Sequence, residues 1–367
     1  MTKLQELYGT HGQSPWLDNL KRGWLTSGEL RKWVERGVRG VTSNPTIFAK
    51  AISGAADYDE QFGTLVRDGV SVEQSYWELV KSDIEDALAV LRPVYDGCNG
   101  NDGFVSIEVA PQLAADTKGT VESARELWRA IDEPNLFVKI PGTAEGIPAI
   151  KQCLAEGINI NITLLFGIDR YGEVIDAFFG GLEELDRSGG DITTVSSVAS
   201  FFVSRVDTEV DRRLESIGTP EALALRGKAA VANAKLAYAL FQERFASDRW
   251  KALAGKGAAV QRPLWASTST KNPSYPDTLY VDELIGPDTV NTMPDSTLAD
   301  FEDHGRLERT VDQGLDGARG VFADLANVGV DMADVTHTLE EEGVATFSKS
   351  FDELITSLET KADQLKG

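Results

Sequence analysis

The stretch Asn135-Leu-Phe-Val-Lys-Ile-Pro-Gly-Thr143 decides the fold and the chemistry that we expect of this chain. Residues 136–140 are apolar and partly β-branched, and Pro141-Gly142 stops the run, so they predict a β-strand. Lys139 interrupts this run one residue before its end. A lysine at the carboxyl tip of a barrel strand points into the active-site mouth, where burial disfavours the ammonium and favours a Schiff-base nucleophile. Alternatively, its long side chain reaches out to water.

Eight strand candidates, separated mainly by helical patterns, run along the chain. Each is a short apolar or alternating run bounded by turn residues. They cover residues 15–20, 39–44, 104–111, 136–140, 158–166, 193–200, 263–267 and 289–293. This number of βα units fits a TIM (β/α)8 barrel better than an open doubly wound sheet. We therefore predict a single α/β domain over residues 1–367, with barrel strands from about 15 to 293 and C-terminal helices over 294–367.

Helical spacing is clearest in three other regions. A capping box at Ser71 begins a predicted helix that ends near Arg92, and a second capping box at Thr26 begins a helix that ends near Arg36. Residues 206–243 are typical of one long helical region. The helices after residue 294 could cover the barrel mouth or pack on the outside of the barrel.

Composition excludes several classes of function. The formal net charge of −22 argues against a broad surface for nucleic acid or for an anionic membrane, and it requires a locally basic pocket for any anionic substrate. We find no apolar run of 18 residues and no apolar N-terminal region, so we expect a cytoplasmic protein without a membrane span. Cys98 and Cys153 give no disulfide framework, and the three scattered histidines predict no metal site.

Polar side chains occur at the carboxyl ends of several predicted strands. These are Asp18, Asn44, Glu108, Lys139, Asn161, Thr163, Ser200 and Arg205. The carboxyl ends of barrel strands share one face, so we expect these groups to meet. Schiff-base chemistry needs such a set: a neutral amine, a carboxylate that moves protons, and a second that takes a hydroxyl proton. Singly, Asp18 could be a loop acid and Asn44 the cap of the following helix.

The segments around these residues resemble the motifs of the transaldolase family, in the family's order. They are Trp16-Leu-Asp18, Val41-Thr-Ser-Asn44-Pro-Thr, Val105-Ser-Ile-Glu108-Val, Phe137-Val-Lys139-Ile-Pro, Asn161-Ile-Thr163-Leu-Leu-Phe166 and Ser200-Phe-Phe202-Val-Ser-Arg205. The chain length and the stretch Trp265-Ala-Ser-Thr-Ser-Thr-Lys271 are similar to the longer bacterial branch of that family.

The resemblance implies reversible transfer of a dihydroxyacetone unit from sedoheptulose 7-phosphate to glyceraldehyde 3-phosphate, in the pentose phosphate pathway. It implies that Lys139 forms the Schiff base and that Glu108, acting with Thr163 through a water molecule, moves protons. Asp18 would be the acid and base at the C4 hydroxyl of the donor. The implied substrate-binding residues are Asn44, Thr42, Asn161, Ser200, Phe202, Arg205 and Ser267. We expect no cofactor, sugar phosphates as the only ligands, and a monomer or a homodimer.

One position departs from the family pattern. Better-known members carry a second arginine two residues after the serine that matches Ser267, and this chain has Ser269 there. We predict that Lys271 supplies the missing positive charge. Since a lysine gives a point charge and not a bidentate fork, phosphate binding would be looser.

Two alternative functions remain. One is a lyase of the same superfamily that releases free dihydroxyacetone, as a fructose-6-phosphate aldolase does. Related aldolases tend to carry glutamine where this chain has Glu108, so this residue favours the transferase, and Phe202 does so more weakly. The other alternative is a non-catalytic barrel that binds a sugar phosphate, which would form no covalent adduct at Lys139.

Overall fold

Eight parallel strands close into a barrel in the computed structural model, which describes residues 1–53 and 55–366. The strands follow one another around the barrel in chain order, and the first pairs with the last. They are β1 Gln13–Leu17, β2 Val41–Thr42, β3 Val105–Glu108, β4 Leu136–Pro141, β5 Ile160–Leu165, β6 Ser197–Phe202, β7 Arg262–Ala266 and β8 Thr289–Met293. The predicted fold class, a TIM barrel with extra helices and a helical C-terminal segment, is confirmed.

The α-helices of the described residues surround this barrel. They are α1 Lys3–His11, α2 Arg22–Thr26, α3 Glu29–Arg36, α4 Pro45–Ser53, α5 Asp59–Arg67, α6 Val72–Gly97, α7 Thr117–Ile131, α8 Gly146–Ala155, α9 Ile168–Arg187, α10 Ser204–Ile217, α11 Pro220–Leu223, α12 Ala229–Phe245, α13 Asp248–Ala254, α14 Leu279–Asp282, α15 Asp295–His304, α16 Leu315–Asn327 and α17 Met332–Lys366. In residues 1–53 and 55–366, no helix is long and apolar enough to cross a lipid bilayer.

Strand register places three predicted site residues side by side. Glu108 of β3 pairs with Lys139 of β4, and Lys139 pairs with Asn161 of β5. Side chains of residues paired in register point to the same side of a sheet. Their apolar neighbours Val138 and Ile140 point the other way and are buried. The alternation of polar and apolar residues along these strands therefore builds one row of functional groups.

Two sequence predictions about segment boundaries were wrong. Strand β6 begins at Ser197 and not at Thr193, because Asp191 accepts a hydrogen bond from the Thr193 N–H (2.9 Å) and holds a short 3-10 turn there. The long helical region predicted over residues 206–243 is divided into α10, α11 and α12. The first break falls at Gly218, whose φ of 72° is left-handed and ends α10.

The two predicted capping boxes had different outcomes. Ser71 does cap α6, since its hydroxyl accepts the Gln74 N–H at 3.2 Å. The helix then continues through Pro93 to Gly97, beyond the predicted end. The predicted box at Thr26 is absent, because α3 is preceded by Gly28 with a left-handed φ of 75° and without a side-chain cap.

A buried ion-pair network lies at the amino-terminal end of the barrel. Asp102 is fully buried and accepts hydrogen bonds from Trp16 Nε1 at 2.8 Å and from Arg39 Nε at 2.9 Å. Nη2 of Arg262 lies 3.6 Å from the same carboxylate, and the Ser14 hydroxyl also donates to it. Because this end of a TIM barrel is the one remote from catalysis, the network serves stability.

The C-terminal helix α17 reaches the opposite, carboxyl end of the barrel. The hydroxyl of Thr46 on α4 donates to the hydroxyl of Ser350 on α17 at 2.9 Å, and Thr346 and Phe347 face the barrel mouth. Of the two placements that the sequence left open for the C-terminal helices, this helix adopts the one over the mouth.

Candidate active site

Lys139 is buried at the centre of the barrel mouth. Its Nζ lies 3.1 Å from Oε2 of Glu108 and donates a hydrogen bond to the carbonyl oxygen of Ser43 at 2.9 Å. The lysine is 4% exposed and the glutamate 6% exposed. The amine is thus held away from bulk water beside a group that can accept its proton.

Two buried oxygens of the predicted site, one of them 3.1 Å from this amine, lack a well-aligned hydrogen-bond partner among the described residues. They are Oε2 of Glu108 and Oγ1 of Thr163. Buried polar atoms in native proteins are nearly always satisfied, so such a pair marks a place where substrate or water binds. Burial raises the pKa of the Glu108 carboxyl, and the charge on Lys139 opposes that rise. A raised carboxyl pKa suits a group that both gives and takes protons near neutral pH.

Asp18 lies directly after β1 and faces the same space. Its Oδ1 accepts a hydrogen bond from the Thr42 hydroxyl at 2.7 Å, and Thr42 is itself 2.6 Å from the hydroxyl of Thr292. Burial raises the pKa of Asp18, while the Thr42 hydrogen bond and the charge on Lys139 act against it. The site therefore contains two carboxyl groups, those of Asp18 and Glu108, whose pKa values burial raises.

A cavity of about 550 Å³ opens above these groups at the carboxyl end of the barrel. Ten of the twelve residues predicted from the sequence line it. They are Asp18, Thr42, Asn44, Lys139, Thr163, Ser200, Phe202, Arg205, Ser267 and Lys271. The structure therefore brings together residues that are as far apart in the chain as 18 and 271.

The other two predicted residues, Glu108 and Asn161, are buried and do not line this cavity. Asn161 is fully buried, donates to the Ser106 hydroxyl at 3.1 Å and accepts from the Ser200 hydroxyl at 2.7 Å. It therefore positions Ser200 toward the cavity. Asn44 lines the cavity, and its Oδ1 also accepts the Ile47 N–H at 2.9 Å, so it caps α4 while its role in substrate binding stays a prediction.

Arg205 occupies the outer end of the cavity, in the first turn of α10. Its guanidinium carbon lies 5.2 Å from the ring centre of Phe202 and 5.8 Å from that of Phe347. Within residues 1–53 and 55–366, no carboxylate comes within ion-pair distance of it. Burial lowers the pKa of Arg205, but an arginine stays charged in proteins. The guanidinium therefore gives this end of the cavity a positively charged surface that suits an anion.

Ser267 and Lys271 line the same cavity as Arg205. The Ser267 hydroxyl is 2.9 Å from that of Ser204, and Ser267 adopts a left-handed φ of 56°, which is strained for a residue with a side chain. Nζ of Lys271 donates to the Ser269 hydroxyl at 2.6 Å. Desolvation lowers the pKa of Lys271, and repulsion by Arg205 adds to this effect. The lowered pKa agrees with a lysine that faces another cation.

Sequence reasoning missed several residues of the cavity wall. The most informative are Lys50 on α4, Phe347 on α17, and Thr292 at the end of β8. Thr292 could have been found by the rule used for the other strand tips. Lys50 and Phe347 lie inside helices, where no local pattern distinguishes a residue that faces the cavity from one that faces solvent.

No group of three or more histidine, cysteine, aspartate or glutamate side chains in the described part of the chain could hold a metal ion. The side chains that the site does bring together are a buried amine, two carboxyl groups, several neutral hydrogen-bonding groups, and a cationic end.

Comparison with known proteins adds an independent finding. Residues 15–358 match the family model described as Transaldolase/Fructose-6-phosphate aldolase. A transaldolase of Frankia alni is 54% identical over 349 residues, which cover 95% of this chain and 94% of that protein. A transaldolase of Thermobifida fusca is 54% identical over 346 residues, with 94% of each chain covered. A transaldolase of Mycolicibacterium smegmatis is 49% identical over 357 residues, covering 97% of this chain and 96% of that protein.

Proposed function

Because this chain belongs to the transaldolase/fructose-6-phosphate aldolase family, we propose that it catalyses the transaldolase reaction. A dihydroxyacetone unit moves reversibly from sedoheptulose 7-phosphate to glyceraldehyde 3-phosphate, which gives erythrose 4-phosphate and fructose 6-phosphate in the non-oxidative pentose phosphate pathway. The observation that carries the proposal is the buried Nζ of Lys139, 3.1 Å from Oε2 of Glu108, in the barrel mouth that Asp18 and Arg205 also line.

The first half of the reaction attaches the donor to the enzyme. The Lys139 amine, after giving a proton to Glu108, attacks the C2 carbonyl of the ketose and forms a carbinolamine. Glu108, through a water molecule held by Thr163, then protonates the departing hydroxyl. Water leaves and a protonated imine remains. Oε2 of Glu108, 3.1 Å from the Lys139 amine but without a well-aligned hydrogen bond, and Oγ1 of Thr163, which has no hydrogen-bond partner among the described residues, support this assignment.

The second half breaks one carbon–carbon bond and makes another. Asp18 takes the proton of the C4 hydroxyl, the C3–C4 bond breaks, and its electrons pass to the iminium nitrogen, which leaves an enamine and erythrose 4-phosphate. The enamine carbon attacks the aldehyde of glyceraldehyde 3-phosphate, and Asp18 returns its proton to the new alkoxide. Hydrolysis of the imine releases fructose 6-phosphate. The iminium accepts the electrons, so the reaction needs no cofactor.

Neutral groups and cations share the task of substrate binding. Asn44, Thr42 and Ser200 hold the hydroxyl groups of the dihydroxyacetone unit, and Asn161 orients Ser200 among them. Phe202 shapes the pocket beside Arg205. The phosphate lies at the N-terminus of α10, bound by Arg205, Ser267 and Lys271.

The charge of the cavity supports an anionic substrate. The chain as a whole carries a formal charge of −22, yet the cavity wall contains more basic than acidic side chains. The basic residues of the wall are Lys21, Lys50, Lys139, Arg205 and Lys271, and the acidic ones are Asp18 and Asp295. This local excess of positive charge is what a sugar phosphate needs in order to enter an acidic protein.

Borohydride trapping tests the proposal. The enzyme is incubated with fructose 6-phosphate and sodium borohydride, and peptides are mapped by mass spectrometry. We expect a reduced adduct on Lys139 and no adduct in Lys139→Ala. A trapped adduct together with fast release of free dihydroxyacetone in the absence of an acceptor would favour the lyase. The absence of any adduct would favour a non-catalytic barrel.

We further propose that residues 1–367 form one domain that works in the cytoplasm as a monomer or a homodimer. The two free cysteines, Cys98 and Cys153, support a reducing compartment. Light scattering of the purified chain would give a single mass near one or two times 39.8 kDa. A larger mass would contradict this proposal.

A further inference from the structure

The C-terminal helix α17 contributes an aromatic wall to the anion-binding end of the cavity. We propose that Phe347 is a positioning residue that holds the Arg205 guanidinium in place for a substrate phosphate. The inference rests on the proposed function and extends it to an element outside the barrel strands and their loops.

The first observation is the pair of aromatic rings that contact Arg205. The ring centres of Phe202 and Phe347 lie 5.2 and 5.8 Å from the guanidinium carbon, and the two residues are 7% and 4% exposed. Phe202 comes from the end of β6 and Phe347 from α17. Both contacts are within the range of cation–π attraction, which strengthens when water is excluded.

The second observation is how Arg205 is held. In the described part of the chain, no carboxylate pairs with it; Glu342, Asp18 and Glu108 act on it only at longer range. A carboxylate partner would fix the guanidinium but would also occupy its N–H donors and cancel its charge. Aromatic rings hold the guanidinium by contact with their π faces and leave its N–H donors free for the oxygens of a phosphate.

The third observation explains how α17 comes so close. Gly343 lies one helical turn before Phe347, on the same face of α17. A Cβ atom at this position would approach Cδ2 of Leu164 to 2.9 Å and Nη1 of Arg205 to 3.7 Å. Leu164 itself adopts a left-handed φ of 58° where the pairing of β5 with β6 shifts its register. The absence of a side chain at Gly343 therefore lets α17 lie against this irregular strand end.

Contacts along α17 hold the helix in this position from both sides of Phe347. Asp334 pairs with Arg213 of α10 at 2.5 Å, and Ser350 accepts the Thr46 hydroxyl at 2.9 Å. Further along, Asp352 accepts from Gln112 at 3.0 Å. These contacts of the protein itself hold α17, and with it Phe347, at the barrel mouth.

Steady-state kinetics with Phe347→Leu tests the proposal. Leucine keeps the apolar bulk but has no aromatic face. We expect KM for glyceraldehyde 3-phosphate to rise about tenfold, chiefly without loss of kcat, and the inhibition constant of inorganic phosphate to rise similarly. With unphosphorylated glyceraldehyde as the acceptor, KM of the variant should rise no more than twofold above that of the wild type. Phe347→Trp, which restores a face, should recover most of the phosphate binding.

Phe351→Leu is the matched control. Phe351 lies one turn further along α17 and packs on Tyr76 and Trp77, with ring centres 5.4 and 6.3 Å away. The rings that contact Arg205 in the described residues are those of Phe202 and Phe347. Phe351→Leu should lower the melting temperature but leave KM for phosphorylated substrates within twofold. Equal rises of KM in both variants, or no rise in Phe347→Leu, would overturn the inference. A wild-type enzyme that cannot be trapped by borohydride would instead refute the proposed function itself.

Discussion

Nζ of Lys139 and Oε2 of Glu108 lie 3.1 Å apart, and both side chains are more than nine-tenths buried. A buried ion pair is weak evidence of stabilisation, because desolvation of the two charges offsets their attraction. An explanation by stability alone is therefore insufficient for a pair at the base of a cavity. Proton exchange between the Lys139 amine and the Glu108 carboxylate accounts for this pair better. Two of the predictions below concern the carboxyl groups of the site, Glu108 and Asp18.

Glu108→Gln should disable proton transfer at the imine. The amide keeps the size of the side chain but cannot take a proton, so we expect kcat for transfer to fall about 10²- to 10⁴-fold. The measurement is coupled steady-state kinetics with fructose 6-phosphate and erythrose 4-phosphate. Glu126→Gln, at an exposed acid of α7, should leave kcat unchanged. Retention of more than a third of the activity in Glu108→Gln would exclude this role.

Thr42→Val should move the acid limb of the pH profile to higher pH. The Thr42 hydroxyl donates to Asp18 at 2.7 Å and so stabilises the ionised carboxylate, which is the form that takes the C4 hydroxyl proton in the proposed mechanism. The pKa of Asp18 is already raised by burial, so loss of this bond raises it further. Activity is then lost at a higher pH as the solution is acidified. We expect a shift of about one pH unit in kcat/KM.

The control for this pH shift is Thr292→Val. The Thr292 hydroxyl contacts that of Thr42 at 2.6 Å and, among the described residues, makes no hydrogen bond to the Asp18 carboxylate, so its removal should shift the acid limb much less. Superimposable profiles for wild type and Thr42→Val would show that Asp18 does not govern this limb.

Lys271→Ala should weaken the binding of both phosphorylated substrates. Lys271 lines the cavity near Arg205, and loss of one partly desolvated charge–phosphate contact should raise KM about tenfold. Lys271→Arg should restore binding, because a guanidinium can form two parallel hydrogen bonds to a phosphate. Lys256→Ala removes an exposed lysine that pairs with Asp186 and serves as the control. An unchanged KM in Lys271→Ala would assign the missing charge elsewhere, with Lys50 as the next candidate.

Asp102→Asn should destabilise the barrel without harming catalysis. The substitution leaves two partly buried guanidinium groups, those of Arg39 and Arg262, without their carboxylate. Loss of one member of a buried charge pair costs about 3–5 kcal/mol in the free energy of unfolding. Urea denaturation measures this loss, and Asp186→Asn, which breaks a surface pair with Lys256, should cost less than about 1 kcal/mol. A large fall in kcat at temperatures where Asp102→Asn stays folded would contradict this separation of roles.

The barrel and most of its polar mouth could be predicted from the sequence because their signals are local. Alternation along β5 and the break at Pro141-Gly142 depend only on adjacent residues. The same locality explains the failures. Residues 192–194, where the strand was predicted to begin, form a 3-10 turn that Asp191 caps. The helix predicted over residues 206–243 is interrupted where Gly218 adopts a left-handed conformation.

The contribution of helices to the site could not be predicted in this way. Phe347 reaches Arg205 only because α17 lies over the mouth, and this placement depends on contacts such as that between Thr46 and Ser350. Nothing in the spacing of residues along α17 specifies which of its phenylalanines faces the cavity: Phe347 does, while Phe351 faces Tyr76. Such choices are made by packing between distant segments of the chain.

The position of this aromatic wall in the chain has a consequence for synthesis. Strand β8 ends at Met293, so a ribosome completes every strand and both acids well before it reaches Phe347. A nascent chain halted between these two points would contain the reactive amine but leave one side of the mouth open to water. Translation of the last helix, and not closure of the barrel, would then be the step that completes the enclosure of the nucleophile.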